Sequence, residues 1–227
     1  MFDNFIEDRE RVLALKKLAD SLLKEGDEEL ASDTLAHSRK ISDRIILGNL
    51  PTSNILQDLC LLLKECNVKF AVIGGLATCV RGQIRSTEYI DVLVEKFPGV
   101  DKLRDSDYMG KFNFYRSKSS TGTVLVIDHR SSAGYVEMLL ANDDLTKWAV
   151  RTATVENLLK SNVPVVSADA LICLKVKASV GNKKRQVKDF PDILSVLLKN
   201  EVDLFEIEHF LNDDEQEMLR KLVNVVS

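Results

Sequence analysis

Apolar residues recur at roughly helical spacing through the first part of the chain, at Phe5, Val12, Leu15, Leu18, Leu22 and Leu23. Gly26 interrupts this pattern, and Asp27-Glu28-Glu29 suits the first turn of a second helix running to about Leu47. Gly48 to Pro51 reads as a turn, after which Thr52 or Ser53 can cap a third helix from Ile55 to Cys66. The pattern then changes. Runs rich in β-branched and aromatic residues predict strands at 68–73, 89–95, 111–116, 123–128 and 134–140. A short helix falls between the first two strands. Another short helix with loops is expected between Phe97 and Gly110. From Val155 the pattern is helical again. Val155 to Leu159 predicts a helical turn, and Val163 to Val166 an extended segment. Ser167 caps a helix from Ala168 to Ala178, and a basic connection follows at 181–185. A helix from Lys188 to Leu198 carries Pro191, which is tolerated only near a helix start. Two more helices are expected at about 203–211 and 213–225.

One helix between two strands, with several strands after it, predicts an α+β fold rather than regular βαβ repeats. Helical segments flank a mixed β-sheet core, and the C-terminal region is helical. The expected divisions are 1–66, 67–160 and 161–227. The N-terminal helices read as a packing element or a homodimer contact.

Composition narrows the class. With 227 residues, 45% hydrophobic and 29% charged, the chain can build a sizeable core. Its net charge of −4 provides no global field to attract nucleic acid. No apolar run reaches the ~20 residues that span a bilayer, and the acidic N-terminus lacks a signal-peptide pattern. A cytoplasmic protein without membrane contact is expected. Cys60, Cys66, Cys79 and Cys173 form no CxxC pair and read as buried, reduced thiols. His37, His129 and His209 are too scattered for a histidine metal site.

The candidate chemistry lies at 74–91. Gly74-Gly75 follows an apolar run and opens a short helix, so the backbone can bend sharply and approach an anion closely. A Gly-Gly turn alone often serves geometry only. Further on, strand alternation places residues 89 and 91 on one face. Acids at both positions could hold Mg²⁺ beside a triphosphate. Position 91 is Asp, but position 89 is Tyr. Read alone, Asp91 is also compatible with a hydrogen-bonded acid at a strand edge.

Gly74-Gly75, Gly82, Arg85-Ser86-Thr87-Glu88-Tyr89-Ile90-Asp91 and the apolar run Val92-Leu93-Val94 together resemble the core of the nucleotidyltransferase superfamily. Within it they are similar to the AbiEii-like, minimal nucleotidyltransferases, whose pattern is Arg-x-Thr-x-Asp-Ile-Asp. The segment from Val163 to Ala178, then Arg185-Gln-Val-Lys188-Asp189-Phe-Pro-Asp192, resembles the C-terminal part of the same family. The likeness covers roughly residues 65–200. It implies a nucleotidyltransferase-like core using a nucleoside triphosphate with Mg²⁺ or Mn²⁺, and nucleotidyl transfer to RNA or protein. By this resemblance Gly74 and Gly75 contact triphosphate and Asp91 binds the metal ion. Arg85 and Thr87 support the loop or contact phosphate. Lys175, Lys188 and Asp189 line the cleft. The next acid is Glu137, in a stretch resembling the family's Gly-x-Val-Asp-Leu-Leu, with Asp128 as the alternative.

The same residues admit plainer readings. Lys175 and Lys177 could snorkel from an apolar helix, and Lys188 with Asp192 could form a surface i,i+4 pair. The departure at Tyr89 removes the first metal carboxylate, because a phenol with pKa ≈ 10 is neutral at pH 7. Weak or lost transfer activity follows. The alternative is an inactive module that binds nucleotide, RNA or a partner protein, for example within a toxin–antitoxin pair.

Overall fold

The computed structural model describes Lys24 and residues 52–83, 90–99, 112–116, 123–128, 135–158 and 161–226. The chain divides into two compact units, Met1–Thr52 with Ser131–Gly134, and Ser53–Arg130 with Tyr135–Ser227. The fold below is that of the second unit. Apart from Lys24, the N-terminal helices expected before residue 52 lie outside the described residues. So does most of the short helix expected between 97 and 110.

Helix α1 spans Thr52–Glu65. Ile55, Leu56, Leu59, Cys60, Leu62, Leu63 and Cys66 are all buried, the one-sided spacing of a helix packed on a core. It ends where Asn67 adopts φ 51°. There the Val68 N–H donates to the Leu63 carbonyl and the Asn67 N–H to the Lys64 carbonyl, closing the helix with a left-handed cap.

Among the described residues, seven strands form one mixed sheet: β1 (Phe70–Ile73), β2 (Ile90–Val94), β3 (Phe112–Arg116), β4 (Thr123–Asp128), β5 (Tyr135–Leu140), β6 (Thr154–Leu158) and β7 (Ser161–Val165). Their spatial order is β3-β4-β5-β2-β1-β7-β6. β1 runs antiparallel to β2, while β2–β5 and β1–β7 are parallel pairs. The central strands are apolar on both faces. Ile90, Val92, Leu93 and Val94 are all buried, as are Phe70, Ala71 and Val72. Such strands need cover on both sides.

Among the described residues, six further helices are α2 (Gly74–Arg81), α3 (Asp144–Arg151), α4 (Ala168–Ser179), α5 (Lys183–Lys199), α6 (Leu204–His209) and α7 (Asp213–Val226). α2 packs on β1, β2, α4 and α5, while α4 also contacts α3, α5, α6 and α7. Ser167 caps α4 as expected, its side chain accepting from the Ala170 N–H at 3.2 Å.

Several expectations are corrected. Residues 154–158 form a strand, not a helical turn, because β6 pairs with β7 in a hairpin through Thr154↔Val165 to Leu158↔Ser161. The basic segment 183–185 is the first turn of α5, capped by Asn182. Pro191 therefore lies inside a helix, where it removes one i→i−4 donor. α3 was not anticipated. Its signal is a capping box, Asp143 with Thr146. Cys79 is only partly buried, unlike the other three cysteines.

Candidate active site

The site forms where β1, β2 and β5 meet the N-terminus of α2. β1 ends at Ile73 and α2 begins at once with Gly74. No linker intervenes, so the chain must turn within one residue. Gly74 does so at φ +63°, a conformation open to glycine at little cost. It is required for a second reason. A Cβ at position 74 would run into Oδ2 of Asp91. Asp91 lies directly opposite Ile73 in the β1–β2 ladder, which brings its carboxylate against the turn. Thr78 fastens the first turn of α2, its buried hydroxyl donating to the Gly74 carbonyl at 3.0 Å. Ile73 caps the helix without a side-chain hydrogen bond. The first backbone N–H groups of α2 thus start beside the acid with no side-chain cap over them.

Glu137 is the register partner of Asp91 on the parallel strand β5. In-register residues on neighbouring strands share a face about 5 Å apart. The two carboxylates are therefore neighbours, as required of a shared cation site. Burial pushes the Asp91 carboxyl up to about 6, and the nearby Glu137 charge pushes in the same direction. Lys188, Lys175 and Arg185, from α4 and α5, oppose that rise. Asp128 is placed differently. Leu125 is the β4 partner of Glu137, and position 128 lies three residues on, with the opposite strand parity. The register thus favours Glu137 over Asp128 as the acid beside Asp91.

Lys175 and Asp189, expected to line a nucleotide cleft, stand at the junction of α4 and α5. Both are buried, and they hold one another. Lys175 Nζ lies 2.9 Å from Asp189 Oδ1 and 2.7 Å from Asp192 Oδ2. Ser179 donates to Asp189 Oδ2 at 3.3 Å, and Arg185 Nε lies 3.4 Å from the same oxygen. This ion cluster locks α4 to α5. Its charge still reaches Asp91, but its hydrogen bonds are spent inside the fold. Asp192 turns inward onto Lys175, so the surface pair with Lys188 does not form. Lys188 itself is exposed on α5. Lys177 reaches across to the Phe210 carbonyl at 3.1 Å and Glu215 at 3.4 Å. Arg85, Thr87 and Tyr89 lie outside the described residues.

Arg81, at the end of α2, is a positioning residue that the sequence did not reveal. Its guanidinium donates to the Val166 carbonyl at 2.9 Å, to Glu156 at 2.7 Å and to the Thr154 hydroxyl at 2.5 Å. These partners lie 73–85 residues away in the chain, beyond any local motif. The far end of α2 is also held by α5. Lys199 donates to the Gly82 carbonyl at 2.7 Å, and Asn200 to the Arg81 carbonyl at 2.6 Å. α2 is thus pinned at the end away from the two carboxylates.

Asp91 and Glu137 can together hold one divalent cation. They are adjacent acids whose mutual repulsion a cation would relieve. Among the described residues no group of three or more potential metal ligands is assembled. No helix of the described residues is long and apolar enough to cross a membrane.

No protein-family model matches this sequence, and no curated protein matches it. Solved structures do resemble it. An antigenic nucleotidyltransferase-like protein from Paracoccidioides brasiliensis aligns with a TM-score of 0.51 and 19% identity, over 75% of this chain and 86% of its own. The antibiotic-resistance factor ANT(2'')-Ia aligns with a TM-score of 0.48 and 10% identity, over 76% of this chain and 93% of its own. At such identities the first likeness speaks to the fold, and the fold agrees with the strand–turn–helix geometry around Gly74. The chain has a nucleotidyltransferase-like α+β fold, with a mixed sheet flanked by helices.

Proposed function

We propose that this protein is a nucleotidyltransferase-like protein of the AbiEii-like type, handling a nucleoside triphosphate at the Gly74–Asp91–Glu137 corner. The observation that carries this reading is the in-register Asp91–Glu137 pair, pressed against a left-handed glycine at a helix start. In the proposed reaction a hydroxyl of RNA or protein releases its proton to water and attacks the α-phosphorus. The bond to the β-phosphate oxygen breaks, and pyrophosphate leaves. Asp91 and Glu137 would hold Mg²⁺ or Mn²⁺, which when bound supplies positive charge to neutralise phosphate oxygens. The backbone N–H groups opening α2 bind phosphate, and exposed Lys188 adds positive charge near Asp91. Gly74 lets the Asp91 carboxylate sit directly against the start of α2.

Among the described residues two acids meet here, fewer than the three that usually hold two metals. A second reading, nucleotide binding with little or no transfer, is favoured by that shortfall and by the commitment of Lys175 to Asp189 and Asp192. Tyr89, two residues before Asp91, separates the two readings. The test incubates each α-labelled nucleoside triphosphate with Mg²⁺ or Mn²⁺ and total RNA, beside a Tyr89→Asp variant. Label transfer by the native chain supports an enzyme, and the label on the protein itself is read in the same gel. Transfer only by Tyr89→Asp supports an intact scaffold that lost its chemistry at one position. If neither protein transfers label and neither binds nucleotide, the proposal fails.

A further inference from the structure

A cavity of about 860 Å³ opens at the opposite end of the β1–β2 ladder from Asp91. Phe70 and Glu95 line it, and Phe70 pairs with Val94, whereas Asp91 pairs with Ile73. Three residue steps of strand, about 10 Å, separate the two places. The volume falls in the range of small-molecule sites. Its apolar lining includes Trp148, stacked on Phe210 with ring centroids 4.7 Å apart. Trp148 is 3% exposed and is fixed by donating from Nε1 to Glu206 at 3.1 Å.

The charges on this cavity are unusual for a chain of net charge −4. Lys64 at the end of α1, Lys69 just before β1, and Lys147 and Arg151 one turn apart on α3 all line it. All four are exposed. Among the described residues none of them takes part in an ion pair. Glu95 and Asp144 are the opposing acids, so four cations face two carboxylates. Unpaired cations around a low-dielectric wall concentrate positive potential on the opening. An apolar floor below such a rim matches a ligand with a ring and an anionic group. Neither a bare ion nor a neutral ring uses both features.

We infer that this cavity is a second binding site, separate from the Asp91 corner, for a small organic anion bearing an aromatic or apolar ring. It is independent of nucleotide handling at the Asp91 corner. Because Trp148 is the chain's only tryptophan, its fluorescence reports this site directly. Phenyl phosphate is the probe, titrated into the full chain with calorimetry in parallel. Saturable binding with a change in Trp148 emission is expected. Phenol and inorganic phosphate should each bind at least tenfold more weakly at equal ionic strength. Lys147→Glu with Arg151→Glu should weaken phenyl phosphate at least tenfold without lowering the melting temperature. Should that variant melt early, Lys64→Ala with Lys69→Ala tests the other wall. Asp91→Asn should leave the binding unchanged, which keeps this site distinct from the catalytic corner. Four results would overturn the inference: no saturable binding, equal binding of inorganic phosphate, indifference to both double variants, or a response only to a single-stranded oligonucleotide.

Discussion

Asp91 carries the strongest single-residue consequence. Its carboxyl is raised from 3.8 to about 6, first by burial and then by Glu137. The folded chain thus holds that proton more tightly than the unfolded chain does. The stability this group supplies is complete below about pH 4, falls as pH rises towards 6, and is absent above it. Asp91→Asn removes the effect. Without divalent ions the variant should gain about 1–3 kcal/mol over the native chain at pH 7 and much less at pH 4. Melting curves between pH 4 and 8 test this, and a pH-independent difference would refute it. Gly74 is equally constrained. Gly74→Ala adds a Cβ against Asp91 at a positive φ, which should cost at least ~1 kcal/mol from backbone strain alone. Gly99→Ala, where nothing lies within 4 Å, is the control and should be close to neutral.

Between elements, the Lys175 cluster joins α4 to α5. Lys175→Met leaves Asp189 and Asp192 buried without that cation, and a destabilisation of about 3 kcal/mol is expected. Adding Asp189→Leu and Asp192→Leu should recover most of it, because apolar groups of similar volume often replace a buried ion cluster without loss. Urea melts of the single and triple variants decide the matter. A triple variant no better than the single would show that the ions do more than hold helices together. The contacts of Lys175 and Asp189 with each other were not legible in the sequence. A lysine on an apolar helix looks like a reach towards a ligand when its partners, 14 and 17 residues on, belong to another helix. β6 misled for a similar reason. Val155-Glu-Asn-Leu-Leu has helical composition, and only its pairing with β7 makes it a strand.

For the whole molecule, a cation bound to the folded state alone raises its apparent stability by mass action. Mn²⁺ should therefore raise the melting temperature at pH 7.5, where Asp91 is ionised, and much less at pH 5, where it is largely protonated. Asp91→Asn should abolish the shift. A shift that persists in the variant would place the metal elsewhere.

The sequence by itself determined the α+β class, the strands expected at 68–73, 89–95, 111–116, 123–128 and 134–140, to within two residues at each end, the glycine turn and the cap at Ser167. These follow from local periodicity and from backbone rules that act within a few residues. Tertiary structure alone decided that Glu137 is the register neighbour of Asp91, that Lys175 turns inward, and that Arg81 anchors α2. It also gathered around Trp148 four cations that make no ion pair among the described residues. Each of these depends on which distant segments share a ladder or a helix face. Hydrophobic patterning says which side of an element is buried, but not what it is buried against.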